Sequence, residues 1–127
     1  KAMHEFKPKP SDAFIVTPPK CGTTFTQAVV HQLKHPGDPY SFEDIYDVSP
    51  WYLLVHDTGL KLDDSLCSDQ SPPRAFKTHQ PLKFLPRGCK YICVVRKPEA
   101  VLISWYRFIL SHGNPLAQKY EKEGSGV

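Results

Sequence analysis

The sequence predicts an α/β fold with a parallel sheet flanked by helices, and three observations carry that expectation. Phe14-Ile15-Val16 and Tyr91-Ile92-Cys93-Val94-Val95 are continuous apolar runs, as in strands of a parallel sheet rather than strands with one wet face. Each run is followed by a loop and a helical pattern, so strand–loop–helix occurs twice, at 14–34 and at 91–110. With 127 residues, 40% hydrophobic and 23% charged, the chain can bury one core and is too apolar to be disordered. A single domain over 1–127 is expected.

Residues 1–12 are polar and proline-rich and predict a surface arm. The strand at Phe14 stops at Thr17-Pro18-Pro19-Lys20-Cys21-Gly22, and a helix from Thr23 to about Leu33 follows, with Phe25, Val29 or Val30, and Leu33 at helical spacing. His35-Pro36-Gly37-Asp38-Pro39 ends it. Asp47-Val48-Ser49-Pro50-Trp51 suggests another helix start, with Ser49 as cap and Pro50 in first position. Leu62 to Pro73 is a polar loop and Ala75-Phe76-Lys77 a short strand. After the strand ending at Arg96, Pro98 opens a helix to about Leu110, with Glu99 in the first turn where the helix dipole favours a carboxylate. The polar tail 119–127, with two glycines, is expected to fray.

Charge and composition exclude several functions. The net charge is +3 and the basic residues are scattered, which suits a small anionic ligand and not a nucleic acid. No apolar run approaches the roughly 18 residues of a membrane span, and the N-terminal residues lack a signal peptide's apolar stretch. Cys21, Cys67, Cys89 and Cys93 form no C-x-x-C pair, so zinc is not expected, and reduced thiols in a cytoplasmic protein are. His4, His31, His35, His56 and His112 read as surface or capping residues without partners at ligand spacing. Trp51, Tyr52, Phe76, Phe84, Trp105 and Tyr106 read mainly as core, with Trp51, Phe84 and Tyr106 as candidates for an apolar acceptor pocket.

Three segments carry chemistry. Thr17 to Thr24 joins a strand to a helix, where free N–H groups and the positive end of the helix dipole converge, and Lys20, Gly22, Thr23 and Thr24 suit an anion there. The plainer reading is a turn and a helix capped by Thr23, with Lys20 in solvent. It is not a Walker A loop, because the lysine precedes the glycine. Lys77 and His79 are two apart at a strand end and share a face, which suits a base beside a bound anion; a lone histidine there is otherwise an ordinary hydrogen-bonded residue. Arg96 leaves a strand at its carboxyl end, where ligands bind in such sheets, and Ser104 interrupts an apolar helix. An ion pair and a close helix packing are the plainer readings of these two.

Taken in order, the segments resemble the PAPS-dependent sulfotransferases, closest to the soluble small-molecule branch. Thr17-Pro18-Pro19-Lys20-Cys21-Gly22-Thr23-Thr24-Phe25 is similar to that family's 5′-phosphosulfate loop, Lys77-Thr78-His79-Gln80-Pro81 to its K-T-H-x-P, and Val94 to Tyr106 to its V-x-R-[ND]-P-x-D-x-x-x-S-x-Y. The resemblance implies a P-loop-like parallel sheet and transfer of a sulfuryl group from PAPS to a hydroxyl or amine of a small acceptor, with PAP as product and no metal. It implies His79 as base, Lys20 on the 5′-phosphosulfate, Lys77 near the sulfuryl oxygens, and Cys21, Gly22, Thr23 and Thr24 as the cradle. It further implies Phe25 on the adenine and Arg96 with Ser104 on the 3′-phosphate. Cys21 stands where serine is usual, Phe25 where tryptophan is usual and Pro18 where tyrosine is usual. The family's later R-K-G-x-x-G segment has no counterpart, so an incomplete copy of the fold is expected, and a divergent relative that binds nucleotide or a partner without catalysis is the alternative. A P-loop kinase would need a Gly-Lys-Ser/Thr order and an acidic magnesium ligand where Arg96 stands.

Overall fold

Phe14 and Ile15 are neighbours in the chain and fully buried on opposite faces of one strand, β1 (Ala13–Val16). The computed structural model describes residues 7–52, 69 and 71–111. The rest of the expected arm (1–6), residues 62–68 and 70 of the polar loop, the tail, His4, His56, Cys67 and His112 lie outside the described residues. The chain divides into two compact units, Lys1–Val95 and Arg96–Val127.

In the first unit, β1 is the centre of a three-stranded parallel sheet, flanked by β2 (Ala75–Thr78) and β3 (Lys90–Cys93) in the order β2-β1-β3. Ala13 pairs with Ala75 on one side and Lys90 on the other, and Val16 with Thr78 and Cys93, so all three strands begin and end level. The alternation of a strand sends Phe14 to one face, against Tyr52, Phe76 and Leu85, and Ile15 to the other, against Val30 and Ala75. The Phe14 ring meets Tyr52 edge-on with centroids 5.2 Å apart and tilts against Phe76 at 5.4 Å.

Asp12, expected in a surface arm, is fully buried. Its carboxylate accepts from Arg74 Nε at 2.9 Å and Nη2 at 2.7 Å, in a pair withdrawn from water on both sides. The Lys9 N–H reaches the same carboxylate at 2.7 Å, and the Asp12 carbonyl accepts from Lys90 N at 2.8 Å.

Helix α1 (Thr23–Lys34) buries a face that the apolar spacing does not mark. Thr23, Gln27, Val30 and His31 face inward, while Phe25 and Leu33 are 74% and 77% exposed and Val29 is exposed with them. The inward polar groups have partners in irregular segments, one a backbone carbonyl and two carboxylates. Gln27 Nε2 donates to the Ser49 carbonyl at 2.8 Å, His31 Nε2 to Asp38 at 3.0 Å, and Lys34 Nζ to Asp69. Burial pushes the Asp69 carboxyl up, but hydrogen bonds from Lys34 and His35 outweigh it and hold it down at about 2. His31 is therefore a buried, paired residue, whereas His35 caps the helix as expected.

The helix expected from Pro50 lies before it. Helix α2 (Ile45–Val48) starts at Asp44, whose side chain accepts from Tyr46 N at 2.9 Å while Asp47 accepts from Asp44 N at 3.1 Å, and it ends at Ser49. Pro50 instead lends its carbonyl to Lys77 N at 2.9 Å, and Tyr52 N donates to the Lys77 carbonyl at 2.9 Å, so 50–52 pairs along the outer edge of β2. A proline suits such an edge, where no N–H is required of it. A 3₁₀ turn (Leu82–Phe84) precedes β3, and Phe84 is exposed rather than core. In the second unit, α3 (Pro98–Ser111) runs with Pro98 first and Glu99 in its opening turn, as expected; Trp105 and Tyr106 are exposed.

Arg74→Ala strands a buried carboxylate and is expected to cost about 3–5 kcal/mol, whereas Leu33→Ala is expected to stay within about 0.5 kcal/mol. Urea unfolding of the two variants checks the contrast.

Candidate functional site

The three level strands deliver their following loops to one end of the sheet. At the end of β1, Thr17 is buried and three contacts meet on it. Its N–H donates to the Thr78 carbonyl at 3.2 Å, its hydroxyl is hydrogen-bonded to the Thr23 hydroxyl, and its carbonyl accepts from His79 Nδ1 at 2.7 Å. The loop then turns through two left-handed residues, Lys20 at φ 65° and Gly22 at φ 92°. Successive turns of this kind aim N–H groups into a concavity that holds anions.

Gly22 is the N-cap of α1, and no side chain caps it, so Thr23 is the first residue of the helix and not its cap. The first helical bond is Thr26 N to the Gly22 carbonyl at 2.9 Å. The N–H groups of Thr23, Thr24 and Phe25 therefore have no acceptor within the helix, at the positive end of its dipole. Cys21 differs from expectation. Its N–H closes a turn onto the Pro18 carbonyl at 3.3 Å and its thiol is buried, so it shapes the loop from within. A Cβ at Gly22 would meet nothing within 4 Å, which leaves open space in front of the backbone there. Phe25, on the first turn of α1, presents an exposed ring.

Lys77 and His79 leave β2 on one face, as alternation predicts, and a single indole touches both. Lys77 Nζ lies 4.2 Å from the Trp51 ring centroid, and the His79 ring meets Trp51 edge-on at 5.4 Å. Tyr46 completes the setting of the lysine, accepting from Nζ at 2.8 Å with its ring centroid at 4.5 Å. Lys77 is only 4% exposed, and its charge is held by aromatic rings and a phenol oxygen. His79 is half-buried. A carbonyl can only accept, so the Thr17 bond places the proton of a neutral His79 on Nδ1 and leaves the lone pair on Nε2.

The structure thus joins the loop, Lys77 and His79 through Thr17 and Trp51. Arg96 and Ser104 belong to the second unit, the first just before α3 and the second within it. Tyr46 and the anchoring part of Thr17 escape sequence reading. A tyrosine on a four-residue helix carries no signal, and Thr17 stands out only as the first residue of its motif. Nitrogen-15 NMR of the neutral His79 ring is expected to find Nδ1 protonated and Nε2 bare. Thr17→Val, which keeps the carbonyl, is expected to preserve that tautomer and cost about 1 kcal/mol of stability, read by thermal or urea unfolding.

The family model described as "Sulfotransferase domain" matches residues 10–125. Sulfotransferase 1E1 of Mus musculus is 33% identical over 120 residues, covering 87% of this chain and 40% of that protein. Sulfotransferase 4A1 of Mus musculus is 34% identical over 111 residues, covering 82% of this chain and 37% of that protein. A crystal structure of mouse sulfotransferase SULT7A1 complexed with PAP shares the fold, with a TM-score of 0.53 and 21% identity over 87% of this chain and 37% of that one. The chain spans about 40% of the length of these relatives. With a family match that takes in nearly every residue from before Asp12 to beyond α3, the chain belongs to the sulfotransferase family.

Proposed function

We propose that this chain forms the nucleotide-binding front of a sulfotransferase that moves a sulfuryl group from PAPS to a hydroxyl or amine of a small acceptor. The observation that carries the reading is the bond from His79 Nδ1 to the Thr17 carbonyl, which fixes a base to the start of an anion-holding loop. When bound, PAPS supplies an activated sulfuryl group and an anionic leaving phosphate. The uncapped N-terminus of α1, the open space before Gly22 and the lysine at φ 65° fit such a group.

In this reading Lys20 and the N–H groups from Gly22 to Phe25 hold the 5′-phosphosulfate, with Cys21 shaping the loop beneath them. Phe25 offers its ring to the adenine, and Arg96 with Ser104 binds the 3′-phosphate. His79 Nε2 takes the proton of the acceptor, and Lys77 supports the charge on the sulfuryl oxygens. Trp51, against both, is the wall nearest an acceptor. The chain's own work is positioning and charge stabilisation, which for a transfer of this type requires no metal. Free thiols at Cys21, Cys89 and Cys93 support a reducing, cytoplasmic setting.

Two measurements test the proposal: PAP binding by calorimetry, and transfer of labelled sulfuryl from PAPS to a panel of phenols, alcohols and amines. His79→Ala is expected to lower kcat by about 10²–10⁴-fold while leaving PAP affinity intact, and Lys20→Ala to weaken PAP binding. Full activity in His79→Ala would remove the histidine from the chemistry. PAP binding with no transfer to any acceptor class would confine this length of chain, by itself, to nucleotide binding.

A further inference from the structure

Away from the loop, the last turn of α1 brings together groups that the proposed transfer does not use. His31 and His35, expected as residues without partners at ligand spacing, stand one helical turn apart on the same face, a spacing at which two imidazoles can share an ion. Asp69, 34 residues beyond His35, meets it with Oδ2 2.9 Å from His35 Nε2. One ligating atom from each of His31, His35 and Asp69 lies within 4.8 Å of the others. All three line a cavity of about 360 Å³ together with Asp38, Ser41 and Phe42. Two ligands of a tetrahedral zinc at about 2.0–2.1 Å stand about 3.4 Å apart, so the side chains need move by only about an ångström to share an ion.

A second observation points to a ligand. His31 is 5% exposed and donates from Nε2 to the Asp38 carboxylate at 3.0 Å. That bond leaves Nδ1 of a neutral ring with its lone pair, and Nδ1 is buried without a hydrogen-bond partner. A buried, unpartnered polar atom is costly. A histidine whose other nitrogen donates to a carboxylate is the arrangement that orients imidazoles for metals and raises their basicity. We infer that His31, His35 and Asp69 form a binding site for a divalent transition ion such as zinc, with Asp38 orienting His31.

Two imidazoles and one carboxylate form a nitrogen–oxygen donor set of the kind zinc accepts, with solvent from the cavity as fourth ligand. The Lys34 ammonium competes with the ion, since it donates to the same Asp69 oxygen. The inference is independent of the transferase reading, because the bound ion would fasten the 35–41 segment and Asp69 to α1 and take no part at Thr17 or His79.

The test is titration of the untagged chain with zinc chloride, followed by calorimetry, with cobalt(II) as a spectroscopic substitute and no nucleotide present. One ion per chain is expected. His31→Ala and, at a half-exposed position that leaves the core untouched, His35→Gln are each expected to weaken binding at least tenfold, while His4→Gln leaves it unchanged. Lys34→Met removes the competing ammonium and is expected to tighten binding about tenfold. No uptake by the unaltered chain, uptake that survives both histidine substitutions, or no tightening in Lys34→Met overturns the assignment.

Discussion

The sheet depends on the buried pair between Asp12 and Arg74. Two charges withdrawn from water are tolerable only when their geometry is good and their remaining capacity is met. Here both Asp12 oxygens take an Arg74 N–H, and one of them also takes the Lys9 N–H. The backbone of the same two residues ties the strands: Ala13 N donates to the Arg74 carbonyl at 2.9 Å, and Lys90 N to the Asp12 carbonyl at 2.8 Å. Three strand starts are thereby fixed around one residue. Parallel strands of equal length that begin level also end level, so Val16 stands beside Thr78 and the chain leaves both at the same edge. The His79-to-Thr17 bond at the opposite end of the strands follows from that register.

What stands at this edge is arranged largely by backbone. The Thr17 carbonyl sets the His79 proton, and Gly22 and Lys20 set the turn by their left-handed angles. Lys77 is treated differently. Among the described residues its ammonium meets no carboxylate, only Tyr46 and the faces of Tyr46 and Trp51. Aromatic faces attract a cation without cancelling its charge as a carboxylate would. The positive charge of the lysine is therefore left uncancelled at this edge, and Trp51 keeps Lys77 and His79 on one wall.

Most of the frame is legible in the sequence because it rests on local signals. The apolar runs at Phe14 and Tyr91 give β1 and β3, though β3 ends at Cys93 and exposes Tyr91 and Cys93 where a run buried on both faces is expected; Pro98 and Glu99 mark the start of α3, and the turn at Pro18–Gly22 separates β1 from α1. The site segments are legible for the same reason, since Lys77 and His79 lie two apart and the loop is contiguous. What escapes depends on partners far away in the chain. Nothing near Asp12 announces Arg74, 62 residues on. The inward face of α1 reads as polar because its partners, the Ser49 carbonyl, Asp38 and Asp69, lie in segments without periodicity. Pro50 carries the signature of a helix start, yet its carbonyl is drawn to the free edge of β2.

The face that α1 buries decides which groups each end of the helix presents. Gln27, His31 and Lys34 fasten it by hydrogen bonds to the segments beneath, which turns Phe25, Val29 and Leu33 outward. That orientation leaves the Phe25 ring open beside the Lys20–Gly22 turn, where the dipole's positive end and three N–H groups favour an anion. At the other end the dipole is negative, and His31, Lys34 and His35 gather there around Asp38 and Asp69. Lys34 already supplies one positive charge at that end, and a metal ion would supply another on the histidine nitrogens. The two ends are therefore matched to charges of opposite sign by the same peptide dipoles, and the polar stripe between them keeps the helix from rolling its apolar side into the sheet.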